Sequence, residues 1–278
     1  MDTRILLCLS LGATLMAGEP PALNWPKVLR IGVEEVKPGK EAAHQKNEFA
    51  WSKVFAQAKS PYHFLGMVPV VGANQATWVW FYDSLAGLEA QQAYMEKHPA
   101  LKAQVEALAV KDAEYIFNYS SVAYVLRGDL SREIGNLPPR FYWTYTVQVK
   151  PGHEAEFTLG AKKFTELYEK AGLKPRWGVY QALAGAANPT FLWVVPLHSL
   201  ADADAAMMDD EKMAKAAGPE ELKGLAKLTA DCFLREDAQL LAVDPKMSYP
   251  VASDIAADPE FWKVWTTTPT AKAQAPAK

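Results

Sequence analysis

Residues 36–39 and 149–152 both read Val-Lys-Pro-Gly, 113 positions apart in a chain of 278 residues. Sliding the sequence on itself by that distance aligns more than the motif. Trp51 falls on Phe164, Val54 on Leu167, Phe55 on Tyr168 and Ala58 on Ala171. Gly72 meets Gly185, Thr77 meets Thr190 and Trp80 meets Trp193. After a two-residue insertion, Leu85-Ala86 meets Leu200-Ala201, Glu96-Lys97 meets Glu211-Lys212 and Leu126 meets Leu241. A repeat this long predicts two whole units of one architecture, not a solenoid of short ones.

The second copy shows what one unit contains. Residues 141–149 alternate, with Trp143, Tyr145, Val147 and Val149 on one side, the period of a half-buried strand. Pro151-Gly152 turns the chain, and Glu154 and Glu156 suit the first turn of a helix. Phe157, Ala161, Phe164, Leu167, Tyr168 and Ala171 then form one apolar helical face, which Gly172 ends. Strands are predicted over 176–183 and 190–196, a helical region broken at Gly218-Pro219 over 200–233, and a short strand over 239–243. That order is β-α-β-β-α-β, the ferredoxin-like unit. Its sheet has one face under helices and a second face needing cover. In an α+β chain carrying two such units, each sheet covers the other, giving a pseudo-dimeric barrel.

The strand-Lys-Pro-Gly-helix signature, with Glu154 and Phe157 after it, resembles the dimeric α+β-barrel superfamily, and within it the NIPSNAP and antibiotic-biosynthesis-monooxygenase-like families. The resemblance covers roughly 28–126 and 141–243. It implies a dimer-like barrel built here from one chain, with self-association a further option. It does not imply one activity: some such proteins are cofactorless oxygenases and some bind haem, so the fold is a weak warrant for chemistry.

The expected organisation is a signal peptide over 1–18, units over 24–130 and 138–244, a C-terminal extension over 245–265 and a disordered tail over 266–278. The first boundary rests on Arg4 followed by a short apolar run and the small exit Ala17-Gly18, which implies a secreted or periplasmic protein. The run is too short to span a bilayer, so no transmembrane segment is expected in the mature chain. Cleavage removes Cys8 and leaves Cys232 without a disulfide partner. A net charge of −3 without long single-sign runs argues against a nucleic-acid partner.

Chemistry is less legible. On the first strand of copy two, Tyr142, Thr144, Thr146 and Gln148 are expected to face the barrel, because helices need the apolar side. In copy one, Leu29, Ile31 and Val33 are out of phase with Val36. A bulge at Glu34-Glu35 would restore the phase and point Arg30 inward. Trp78, Trp80 and Tyr82 share one strand face, as do Phe191, Trp193 and Val195. If those faces line the barrel, Trp80 and Trp193 flank an aromatic cavity for a small, flat, apolar or aromatic ligand. The same pair equally serves as packing between sheets. His63 and Arg176 begin the second strands, either at a solvated edge or where they could fix an acidic group.

His44 and Glu48 are four apart on the first helix and share a face, but no third ligand is evident, so a solvated helix edge or a pairing of the two is expected and no metal is assigned. For a haem-binding version, His98 and His198 are the histidines to watch. There is no Gly-x-Ser-x-Gly elbow and no phosphate loop, and no catalytic set or cofactor can be named. Three functions stay open: an exported small-molecule-binding protein, a cofactorless or haem-dependent oxidoreductase, and a structural module with a filled barrel.

Overall fold

The computed structural model describes residues 25–134 and 138–266. The expected signal peptide and nearly all of the expected tail lie outside these residues. The first half runs β1 (Val28–Val36), α1 (Glu41–Gln57), β2 (Phe64–Pro69), β3 (Gln75–Tyr82), α2 (Leu85–Lys97), α3 (Pro99–Asp112) and β4 (Ile116–Leu126). The second runs β5 (Phe141–Val149), α4 (Glu154–Lys170), β6 (Gly178–Ala184), β7 (Thr190–Leu197), α5 (Leu200–Ala217), α6 (Pro219–Cys232) and β8 (Phe233–Val243). Two short helices follow, α7 (Ala252–Ala257) and α8 (Lys263–Thr266). The break at Gly218 falls where expected, with Pro219 opening α6. The last strand is longer than expected. It starts directly after Cys232 because its exposed half pairs with β5 from Val149↔Phe233 onward.

The strands close into one barrel in the order β1-β3-β2-β8-β5-β7-β6-β4. Two seams join the halves: Met67–Pro69 of β2 against β8, and Ala123–Leu126 of β4 against β6. Closure leaves no unpaired sheet edge, which removes the hazard of an open edge strand.

All eight strands send side chains into one cluster that includes Leu29, Leu65, Val79, Tyr124, Tyr142, Tyr180, Leu192 and Leu241. Only the barrel interior is shared by all of them. Tyr142 faces inward as the alternation predicts. Burial raises the hydroxyls of Tyr142 and Tyr180 above the usual tyrosine range, and Tyr180 donates to the Pro26 carbonyl at 3.0 Å.

The aromatic faces of β3 and β7 correct the expectation. Trp78, Trp80 and Tyr82 pack with Phe55 of α1, and Phe191 and Trp193 pack with Phe157 and Phe164 of α4. These rings lie under the helices, not between the sheets. Arg30 is also outward, pairing across strands with Trp80 and placing its guanidinium 4.8 Å from that ring's centroid. No bulge was needed to explain the phase: Leu29 and Ile31 belong to the barrel cluster while Val28 belongs to the helix side. A register shift does occur, one step later, between Glu35 and Val36.

The C-terminal extension completes the interior. Trp262 is 3% exposed within the barrel cluster, and Ile255, Phe261 and Trp265 pack against the same cluster. Arg140 latches the segment by donating from Nε and Nη2 to the two Asp258 oxygens at 2.7 and 3.0 Å. These bonds hold the Asp258 carboxyl below the usual carboxylate range.

Each Lys-Pro-Gly turn also acquires a bonding role. Lys37 Nζ donates to the Ala113 and Glu114 carbonyls just past α3, and Lys150 Nζ donates to the Ala230 and Asp231 carbonyls at the end of α6. Helix ends leave carbonyls without intrahelical partners, and a lysine suits their negative pole.

Candidate functional site

A cavity of about 660 Å³ lies on the outer face of the second half's sheet, beneath α4, α5 and α6. Its floor is the outward side of β5 and β7. Trp143 and Tyr145 stack there with centroids 5.6 Å apart, and Trp193 continues the surface. The inner wall is an aromatic box. Trp177 lies 5.1 Å from Trp193, 5.6 Å from Phe164 and 5.3 Å from Tyr168. Edge-to-face and offset arrangements of this kind suit ring quadrupoles and leave ring faces available to a flat guest. Trp177 is fixed by donating to the Leu130 carbonyl at 3.1 Å. The close approach of α4 and α6 sets the depth, since Gly160 leaves no room for a Cβ beside Leu228.

Polar groups are sparse and mostly committed. Asp202 closes a capping box with Ser199 at the start of α5. Asp209 pairs with Lys212, and Asp210 accepts from the Tyr168 hydroxyl. Burial, followed by that bond, pushes the Tyr168 hydroxyl up, and burial with Asp210 and Glu236 nearby pushes Tyr145 up to about 12. Both phenols are therefore neutral at ordinary pH. At the rim, Lys174 and Arg176 are exposed, and neither makes an ion pair among the described residues. The lining thus joins an apolar box to the rim cations Lys174 and Arg176 and the carboxylate of Glu236.

Of the residues singled out in the sequence, the cavity gathers Arg176 and Trp193. Phe191 lies beside it, stacked on Phe157 at 4.0 Å. Tyr142 is inside the barrel, and Thr144 shares its strand face, with Oγ1 donating to the Gln239 carbonyl at 3.5 Å. Tyr82 donates to Gln91, and burial pushes its hydroxyl up to about 12. His63 stacks on Tyr249 at 4.4 Å, far from the cavity in the first half. His98 stacks on Tyr94 at the α2–α3 junction. His198 reaches the cavity edge, its Nδ1 2.9 Å from the Pro138 carbonyl. Sequence reasoning missed the cavity function of Phe164, Tyr168 and Trp177. Their period marked a buried helix face, which is also the signal of a packed core.

A second cluster lies in the first half. His44 and Glu48 are buried and not on a solvated edge; they pair with each other at 4.0 Å, the other expected arrangement, and meet Glu34 of β1 and Asp112 of α3. These four are the metal-type side chains the described residues bring together.

This geometry defines the protein as a closed α+β barrel of the dimeric-barrel type, made from one chain. No family model matches it, and no curated protein does. Among solved structures, an anthrone oxidase-like protein superposes with a TM-score of 0.52 at 13% identity, over 80% of this chain and 92% of that one. A chlorite dismutase variant from Candidatus Nitrospira defluvii gives 0.48 at 10% identity, over 80% and 92% of the two chains. A NIPSNAP domain protein from Burkholderia xenovorans gives 0.29 at 18% identity, covering 35% of this chain and 92% of its own. At these identities the likeness extends to the fold and no further.

Proposed function

We propose that the protein binds a small, flat, largely apolar molecule with an acidic group, in the cavity over the second half's sheet. The observation that carries this is the box of Phe164, Tyr168, Trp177 and Trp193 around about 660 Å³, edged by Lys174 and Arg176, which make no ion pair among the described residues. The reading keeps the expected ligand class and moves its site. The barrel is filled by Tyr142, Tyr180 and Trp262, so the space lies outside it.

Anilinonaphthalenesulfonate, a flat aromatic anion, serves as a probe. Saturable binding that quenches tryptophan fluorescence is expected. Arg176→Gln should weaken it about tenfold, the scale of one charge-assisted contact. Ala206 lines the cavity from α5, and Ala206→Trp should abolish binding by filling the space. Unchanged binding in a folded Ala206→Trp protein would rule the site out.

The reading includes export, supported by the residue pattern over 1–18. Protein recovered from a periplasmic or culture fraction should begin near Glu19. An unprocessed Met1 terminus there would contradict it. Oxygenase chemistry is the second reading. The anthrone oxidase-like neighbour supports its fold, and the aromatic box would suit a polycyclic substrate. No base or cofactor residue in the cavity is assigned to it.

A further inference from the structure

Helix α1 places His44 and Glu48 one turn apart on its buried face, β1 directs Glu34 at them, and the last turn of α3 supplies Asp112. His44 Nε2 lies 3.0 Å from Glu34 Oε2, 3.7 Å from Asp112 Oδ1 and 4.0 Å from Glu48 Oε1. All four ligand atoms lie within 4.8 Å of one another. His44, Glu48 and Asp112 are each 3% exposed. Among the described residues, no lysine or arginine pairs with any of these carboxylates; the His44 imidazole is their one basic partner.

Three carboxylates around one imidazole cannot all be ionised in a buried site without another cation. A fifth buried polar group reaches the cluster. Asn47 is 3% exposed, its Nδ2 donates to the Leu108 carbonyl at 3.2 Å and lies 3.5 Å from Glu48 Oε1 and 3.4 Å from Asp112 Oδ1, and its Oδ1 has no partner among the described residues. Glu34 is oriented from behind by the Trp78 indole, which donates to Oε2 at 2.9 Å.

The other half shows that the fold does not require this chemistry. Lys37 N and Lys150 N bond the Tyr115 and Cys232 carbonyls, and the two Nζ groups bond the Ala113 and Ala230 carbonyls. By that correspondence Glu34, His44, Glu48 and Asp112 match Val147, Phe157, Ala161 and Thr229. Val147, Phe157 and Ala161 are buried apolar core. Apolar replacement of buried ionic groups is often neutral or stabilising, so packing alone does not account for the polar set.

We propose that Glu34, His44, Glu48 and Asp112 hold one first-row divalent cation of the manganese, iron or zinc class, tying β1, α1 and α3 together. One imidazole nitrogen with carboxylate oxygens is a donor set for that class. Tetrahedral ligands at about 2.1 Å from a metal lie about 3.4 Å apart. The present separations from His44 therefore need to change by only a few tenths of an ångström. The second outer contact, Trp78 to Glu34, is of the kind that fixes a ligating carboxylate.

The test uses untagged full-length protein, elemental analysis and thermal unfolding. Chelator-treated protein reloaded with manganese(II) or zinc(II) chloride should hold one ion per chain. Its melting temperature should rise by about 5 °C or more when free metal is a hundredfold above Kd. Glu48→Gln, which keeps the shape, should weaken binding by about a hundredfold or more. A quadruple variant copying the other half (Glu34→Val, His44→Phe, Glu48→Ala, Asp112→Thr) should fold, bind no metal at the site and show no shift. Failure of wild-type protein to bind or respond to either metal overturns the proposal. So does wild-type-like binding in a folded Glu48→Gln protein.

Discussion

Replacing Trp262 with alanine should lower stability by about 3–5 kcal/mol, the usual cost of deleting a buried tryptophan. The residue is 3% exposed in a cluster to which all eight strands contribute, so the void would open within that cluster. Ile255, Phe261 and Trp265 pack against the same cluster but are only partly buried. Urea unfolding would show a lower midpoint with little change in slope. A loss under about 1 kcal/mol would mean that the C-terminal segment merely covers the barrel mouth.

Gly185→Ala should be comparably damaging for a different reason. Gly185 has φ +91, and a Cβ there would fall on the Ser121 carbonyl oxygen and 3.0 Å from Val122 Cα. Those atoms are backbone of β4, at the seam where β4 pairs with β6 beside a register shift between Ala123 and Tyr124. Relieving the overlap means parting the seam and losing its ladder bonds. A loss of about 3 kcal/mol or more is expected. Gly72 is the matched control. Its φ is +129, but nothing lies within 4 Å of the added carbon. Gly72→Ala should cost only about 1 kcal/mol, the conformational part alone. Equal losses at the two glycines would show that the seam yields freely.

These residues also show where sequence reasoning reached and where it stopped. The paired Val-Lys-Pro-Gly turns and their element order were enough to derive the two units and the barrel. Alternation separated Trp78, Trp80 and Tyr82 from Val79 correctly as belonging to opposite faces. It could not say which face was inside, because a barrel strand under a helix layer is apolar on both sides. The strand indoles Trp78, Trp80 and Trp193 lie under the helices, while the indoles in the barrel cluster, Trp25 and Trp262, come from segments outside the strands. The ion cluster was half legible. His44 and Glu48 shared a helix face by spacing, whereas Glu34 and Asp112 arrive from another strand and another helix. Such meetings are properties of topology, and no local window contains them. The cavity was hidden for a related reason: Phe164 and Tyr168 carry the same period whether the space beside them is full or vacant.

Order of synthesis gives the barrel plug a further meaning. Every strand precedes Trp262 in the chain, so a nascent protein can pair all eight strands while its interior still lacks the indole that completes it. Until Asp258 reaches Arg140, the Trp262 indole is not latched in the barrel cluster. The trailing segment thus docks on strands made before it, and any interval before docking leaves apolar barrel residues exposed to a chaperone or to aggregation.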